Sequence, residues 1–412
     1  MPAPSTTDTR AVERVLFLDR LRLALILLIV LEHATLAYTG VARIDHFEPL
    51  RSSWYVVDAA GGGFLEFISK ARVPFAIPLL FLISGFFLGT SVRRRDIRSC
   101  AERRLWRLGP PLLLIALVFA PMMYAATWSL TWRAIPLSDV IRTLFFERWQ
   151  IGHGWFLWIL LLFNAAALCW RAVHPGSYES PGRVLRKAMQ HGRLTVPGLI
   201  VALAFVGYGA SWMLANHAPA GFWRIVSGPF FFVEPLIVVN ALYFVLGVAL
   251  GQSLNANTLS QAFRGITFHW RIWALVAAFC FAALMLLDEH LPSVGRFHAG
   301  PFGTFPLDVL FAPLYCAAIS IALLAFFAGR QHRPSRVLDY LSRNSFGLYV
   351  FHLPIVVGLQ YLLIPASLPG PAKAVITAGG TMAIYLLMIR GWGLTRQDRL
   401  ATTPRHRAAN GS

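Results

Sequence analysis

Arg22 and His33 are separated by an unbroken apolar run, Leu23 to Leu31, followed by Glu32. Their types and spacing can do chemistry. At about 100° per residue, eleven steps come to roughly 1100°, or three turns plus about 20°. The two side chains therefore share one helical face, about 16 Å apart along the axis. Asp19 lies three residues before Arg22, within pairing reach on the same helix. Ionisable groups in so apolar a segment are costly and are functional candidates by default. A histidine held near neutrality can take a proton from a hydroxyl, or attack an activated acyl group itself. The arginine is a fixed cation suited to a thioester, phosphate or carboxylate. The plain alternative for His33 is a hydrogen bond to a neighbouring helix. Glu32 is expected to point about 100° away from His33, since neighbours in sequence do not face each other on a helix.

Further polar groups recur at helical spacing. Ser345, Tyr349 and His352 follow steps of four and three, so they share a face and argue for a lined cavity. Arg104 and Arg107 fall on adjacent turns and, with Arg103, can grip a polyanion; the same arginines can equally mark a cytoplasmic membrane face. Ser84, Gly85 and Gly89 are small enough for close helix packing. His153 precedes Trp155 and Trp158, which suit an interfacial aromatic belt.

The elements that must hold these residues are membrane helices. Of 412 residues 57% are hydrophobic and only 14% charged, and mean hydropathy is +0.59. A soluble chain carries nearer a quarter charged residues. Ten apolar segments can be read, at about 16–38, 73–91, 108–128, 155–170, 195–216, 230–251, 272–288, 303–328, 344–364 and 374–394. The expected fold is all-α, a polytopic bundle of about ten transmembrane helices. It divides into an N-terminal tail (1–15), a membrane domain (16–394) and a C-terminal tail (395–412). The polar N-terminus shows no small-residue cleavage site, so the first segment is expected to be retained.

The net charge of +18 suggests nucleic acid in a soluble protein, but its placement here describes topology. Counted loop by loop, 25 Lys and Arg fall on one side and 10 on the other, with Arg20 and Arg22 at the mouth of the first helix. That bias puts both termini in the cytoplasm and favours an even number of spans. The four cysteines show no CxxC or Cys/His spacing, so neither a disulfide framework nor a metal site is expected.

The runs Phe17–Arg22 with His33, Leu82–Phe86, Arg103–Pro110, His153–Leu157 and Ser345–Pro354 together resemble the acyltransferase 3 family, most closely its glucan-biosynthesis protein C branch. The resemblance runs in order from about residue 15 to 355, with a divergent middle from about 175 to 300. It implies transfer of an acyl group (acetyl or succinyl) from cytoplasmic acyl-CoA to a saccharide across a bacterial inner membrane. It further implies that His33 is catalytic and that Arg22, Arg104 and Arg107 serve the donor. Acyl-CoA is then a co-substrate and no cofactor is bound. Asp19, Ser84, His153, Trp155, Ser345, Tyr349 and His352 are the expected cavity-lining or acceptor-side residues, and Glu32 has no assigned role. The residues alone leave open a secondary transporter or a non-enzymatic scaffold of a glycan-assembly complex. Transporters tend to carry matched helix breaks in inverted repeats. That pairing is not evident, although Pro235, Pro306 and Pro313 interrupt apolar stretches.

Overall fold

The computed structural model describes residues 16–71, 73–131, 136–147, 149–190, 196–217, 228–230, 236–254, 269–290, 306–330 and 335–402, together with Val226 and Leu259. The first tail, the last ten residues, and Pro235, Arg264 and Arg333 lie outside them.

Among the described residues every regular element is helical. In chain order these are α1 (Leu16–Leu36), α2 (Gly63–Ala71), α3 (Val73–Arg94), α4 (Ile97–Leu114), α5 (Ala120–Ser129), α6 (Leu137–Arg142) and α7 (Gly154–Val173). There follow α8 (Pro175–Gln190), α9 (Val196–His217), α10 (Ile237–Ser253), α11 (Trp270–His290), α12 (Pro306–Gly329), α13 (Arg336–Leu363) and α14 (Gly370–Thr402). Seven stretches are long and apolar enough to cross a membrane. They are Phe75–Arg94, Ile97–Ser129, Gly154–Val173, Val196–Leu214, Leu310–Gly329, Arg336–Leu363 and Gly370–Gly391. Shorter apolar helices at Ile237–Ser253 and Trp270–Leu286 match two more expected segments. The first segment, α1, is 21 residues long but carries Asp19, Arg20, Arg22 and Glu32.

Two stretches read as loops are helical. The arginine-rich stretch from 97 to 111 belongs to α4, which starts because the Asp96 side chain accepts the Ser99 N–H at 3.0 Å. That hydrogen bond holds the Asp96 carboxyl below the usual carboxylate range. Pro110 and Pro111 leave α4 short of backbone donors, and the helix passes through a wider π turn at Ile115–Phe119 into α5. The basic stretch after α7 forms α8, tied to α10 where Ser253 Oγ donates to Gly182 O at 2.6 Å.

The tightest pairing in the bundle joins α3 and α10. A Cβ on Gly85 or Gly89 would overlap the carbonyls of Phe244 or Val248, and one on Gly247 or Gly251 would overlap those of Leu82 or Phe86. Each helix presents small-xxx-small glycines to the other, so the backbones touch. Residue numbers rise together along the contact, hence the helices run parallel. Arg93 Nη1 seals one end, 3.4 Å from the carbonyls of both Gly251 and Leu254.

The loop after α1 is pinned over the bundle. Asp58 N–H donates to Ala37 O at 2.9 Å, and Gly370 N–H donates to Ala60 O at 2.8 Å. Lys373 Nζ meets Asp58 Oδ2 at 2.6 Å, with both side chains buried. Losing one partner of such a pair costs about 3–5 kcal/mol.

The glycine contact predicts its own cost. Gly85→Ala forces α3 and α10 apart, with an overpacking penalty of about 1–3 kcal/mol. Gly209→Ala, on α9 with nothing near its missing Cβ, carries none. Thermal unfolding in detergent should show a lower midpoint for the first and an unchanged or slightly raised one for the second, because alanine is the better helix former.

Candidate active site

Helix α1 lies along α13 in parallel register, and its polar groups meet partners there one by one. Arg22 Nε donates to Ser345 Oγ at 3.2 Å, and Nη2 donates to Ser342 O at 3.1 Å. Nη2 is also 3.4 Å from Asp19 Oδ1, the i,i+3 pairing expected of that spacing. Two turns further along α13, His352 Nε2 lies 3.0 Å from His33 Nδ1. Beyond that, Gln360 donates to the His33 carbonyl at 2.8 Å, and Trp54 Nε1 donates to Gln360 Oε1 at 3.0 Å. The Trp54 ring, carried by the pinned loop, leans on the His33 ring at 5.3 Å.

The histidine pair is edge to edge. The ring planes differ by 5° and the centroids are 5.2 Å apart. With nitrogens 3.0 Å apart, that geometry is an in-plane hydrogen bond rather than a face-to-face stack. His352 Nδ1 is 2.6 Å from Tyr349 O. A carbonyl only accepts, so this nitrogen carries a proton. The same logic puts a proton on His153 Nε2, 3.1 Å from Val350 O. His153 itself is buried, edge-on to His352 at 5.2 Å, and its own carbonyl accepts the Tyr349 hydroxyl at 2.5 Å.

These groups line two neighbouring cavities. The first, about 70 Å³, collects Arg22, Ser84, Arg104, Arg107 and Tyr349 among apolar walls. Arg107 sits over the Phe346 ring at 5.6 Å. The second, about 180 Å³, is lined by His33, His153, Trp155, Tyr349 and Asn240. Phe156 and Tyr349 belong to both, so they form the wall between an arginine chamber and a histidine chamber. A larger apolar groove of about 420 Å³ between α7, α8 and α10 touches none of these groups.

Most of the singled-out residues thus converge. Arg103 does not: it is exposed and lines neither chamber. Asp19, Ser345 and His352 stand behind Arg22 and His33 as partners rather than in the walls. Trp155 lines the histidine chamber, which a belt position alone does not require.

Four participants were not foreseen. Glu32 does not point clear of His33: its Oε2 is 3.3 Å from His33 Nε2, at a residue only 2% exposed. The 100° offset separates the Cβ directions of neighbours, but two long side chains can still meet at their tips. Asn240 reaches the histidine chamber from the divergent middle region, and its signal was a lone amide inside an apolar run. Trp54 and Gln360 carry no readable signal, because their roles depend on how the loop folds over α1.

An acyltransferase domain model matches residues 15–390. The chain is 28% identical to the glucans biosynthesis protein C of Escherichia coli (strain K12) over 155 residues, 36% of this chain and 37% of that protein. It is 23% identical to the glucans biosynthesis protein C of Salmonella gallinarum over 239 residues, 56% of this chain and 59% of that one. The chain thus spans between about a third and three fifths of these relatives' length. No solved structure matches. Because the domain model takes in α1 through most of α14, both chambers included, and seven stretches are long and apolar enough to cross a membrane, the chain belongs to the acyltransferase 3 family of multi-pass membrane proteins.

Proposed function

We propose that this chain moves an acyl group from cytoplasmic acyl-CoA to a hydroxyl of a saccharide on the far side of a bacterial inner membrane. The observation that carries the reading is the pair of chambers separated by Phe156 and Tyr349, arginines in one and His33 in the other. In this reading the donor's phosphates meet Arg104 and Arg107, and Arg22 neighbours the thioester. The acceptor hydroxyl approaches from the His33 side. His33 takes the hydroxyl proton as the new C–O bond forms and the C–S bond breaks, and the departing thiolate takes that proton up. With His352 neutral and its proton on Nδ1, His33 donates Nδ1–H to His352 Nε2 and keeps the lone pair on its own Nε2, which suits a general base. The name carried by both relatives, glucans biosynthesis protein C, supports a glucan-like acceptor.

The topology belongs to the same proposal: ten spans, with tails 1–15 and 395–412 in the cytoplasm and residues 16–394 forming the membrane domain. The parallel pairing of α3 with α10 and of α1 with α13 supports it. In a ten-span alternation the second and sixth segments descend together, and the first and ninth ascend together. No bound cofactor, metal or nucleic acid enters this scheme.

His33→Ala should leave an inserted, folded protein whose transfer rate falls by more than about a hundredfold, the scale of a general base. Purified variant retaining over a tenth of the wild-type turnover would overturn the assignment.

For the arginines, Arg104→Gln with Arg107→Gln should raise the KM for acyl-CoA at least tenfold. Each lost charge-assisted hydrogen bond is worth about 1.5–3 kcal/mol. The acceptor KM should stay put, and Lys at both positions should rescue only partly, lacking the planar fork. An unchanged acyl-CoA KM would return both residues to a topological role.

In a background without native cysteines, Glu48→Cys should react with a membrane-impermeant maleimide in intact spheroplasts. Arg98→Cys should not. The reverse pattern would invert the direction of transfer.

A further inference from the structure

His33 stands in the last turn of α1. That helix ends at Leu36, so the His33, Ala34, Thr35 and Leu36 carbonyls are the four that a helix leaves short of backbone donors. The chain turns tightly there: Thr35 O accepts the Tyr38 N–H at 3.0 Å, and Leu36 O accepts the Thr39 N–H at 3.1 Å. Gln360 Nε2, reaching over from α13, serves the other two. It donates to His33 O at 2.8 Å and to Ala34 O at 3.3 Å. Gln360 is fully buried, and the sense of its amide is fixed at both ends. The Trp54 indole N–H only donates, so the atom it meets at 3.0 Å is Oε1. Backbone carbonyls only accept, so the atom that faces them is Nε2. A carboxylate here would set its second oxygen against two carbonyls, and an apolar side chain could serve neither end.

We propose that Gln360 and Trp54 form a clamp that sets where His33 stands against His352. Both are positioning residues for the acyl transfer proposed above, and the assignment rests on that reading. In a helix the side chain leans toward the N-terminus while the carbonyl points toward the C-terminus. α13 holds His33 from both directions, with His352 Nε2 at the ring nitrogen and Gln360 Nε2 at the carbonyl. Trp54 adds a third hold, its ring against the His33 ring with centroids 5.3 Å apart. Trp54 is itself placed by the outer loop, in which the Asp58 N–H donates to Ala37 O and the Asp58 carboxylate pairs with buried Lys373. The imidazole therefore cannot turn or slide without breaking one of the three contacts. For a general base that restraint carries rate, since about 1 Å of misplacement can cost on the order of 10²-fold. Neither Gln360 nor Trp54 lines either chamber, so the clamp acts through His33 alone.

The test uses full-length protein labelled with ¹⁵N-histidine in nanodiscs. Turnover is measured with acetyl-CoA or succinyl-CoA as donor and a glucan oligosaccharide as acceptor. Gln360→Met keeps the side-chain length and removes both ends of the clamp. Its kcat should fall at least about tenfold, within the range that misplacing a reacting group produces. Both KM values should hold within about a factor of two, because the lost contact orients a base and binds neither substrate. The nitrogen–nitrogen coupling across the His33–His352 hydrogen bond, present in the wild type, should weaken or vanish in the variant. Trp54→Phe keeps a ring on His33 but releases the Gln360 amide, and should give smaller losses of the same kind. Combining the two should cost no more than about twofold beyond Gln360→Met alone, because both break one chain of contacts. A wild-type kcat in Gln360→Met, a loss carried by KM instead, or a coupling absent from the wild type or unchanged in both variants would overturn the proposal. Should Gln360→Met fail to insert, Trp54→Phe decides alone: wild-type kcat and coupling there sink it. The coupling needs no turnover, so it judges the clamp even if transfer to a saccharide fails.

Discussion

A helix in an apolar bundle cannot bury charge alone, and α1 carries Asp19, Arg20, Arg22 and Glu32 together with His33. Leaving such groups without partners in a low-dielectric interior costs several kcal/mol each. α13 supplies much of the compensation. Ser342 and Ser345 meet Arg22, His352 meets His33, and Gln360 meets the α1 backbone as the helix ends. This matching fixes both register and direction, because a slip of one residue on either helix would break every one of these contacts together. The two helices therefore act as one polar seam, and the other helices are arranged around it.

The glycine contact between α3 and α10 does complementary work. In lipid, helices gain little from hydrophobic burial, and close backbone approach supplies the packing that holds them. α3 brings Ser84 to the arginine chamber and Pro78 to the histidine chamber. α10 brings Asn240 to the histidine chamber. Locking α3 to α10 at four glycines ties the chamber walls to a rigid pair. The divergent middle of the sequence thereby contributes to a site whose recognisable motifs lie elsewhere.

In the proposed reaction, the wall between the chambers would keep the charged donor and the polar acceptor apart. Tyr349 is held by its hydroxyl on the His153 carbonyl, and its own carbonyl orients His352. A single helical turn thus links the divider to the histidine that hydrogen-bonds His33. Tyr349 therefore supports the His33–His352 contact through the carbonyl that holds His352.

Periodicity and charge alone determined the helical class, the polar face joining Arg22 to His33, the i,i+3 partnership of Asp19 with Arg22, and the membrane character of the chain. These are local properties: a helix repeats every 3.6 residues wherever it sits, and apolar length reports on its solvent. They also picked out Ser345, Tyr349 and His352 as one face. Only the tertiary structure decided which face met which. It set His352 against His33, brought Arg104 and Arg107 into one chamber with Arg22 while leaving Arg103 outside it, turned the arginine-rich loop into a helix, and laid Trp54 over the site. It also brought Glu32 onto His33, against the angular argument, because side-chain tips have freedom that a helical wheel does not represent. A spacing rule sees one helix at a time, whereas the hydrogen bonds that assign protons and partners form between helices hundreds of residues apart.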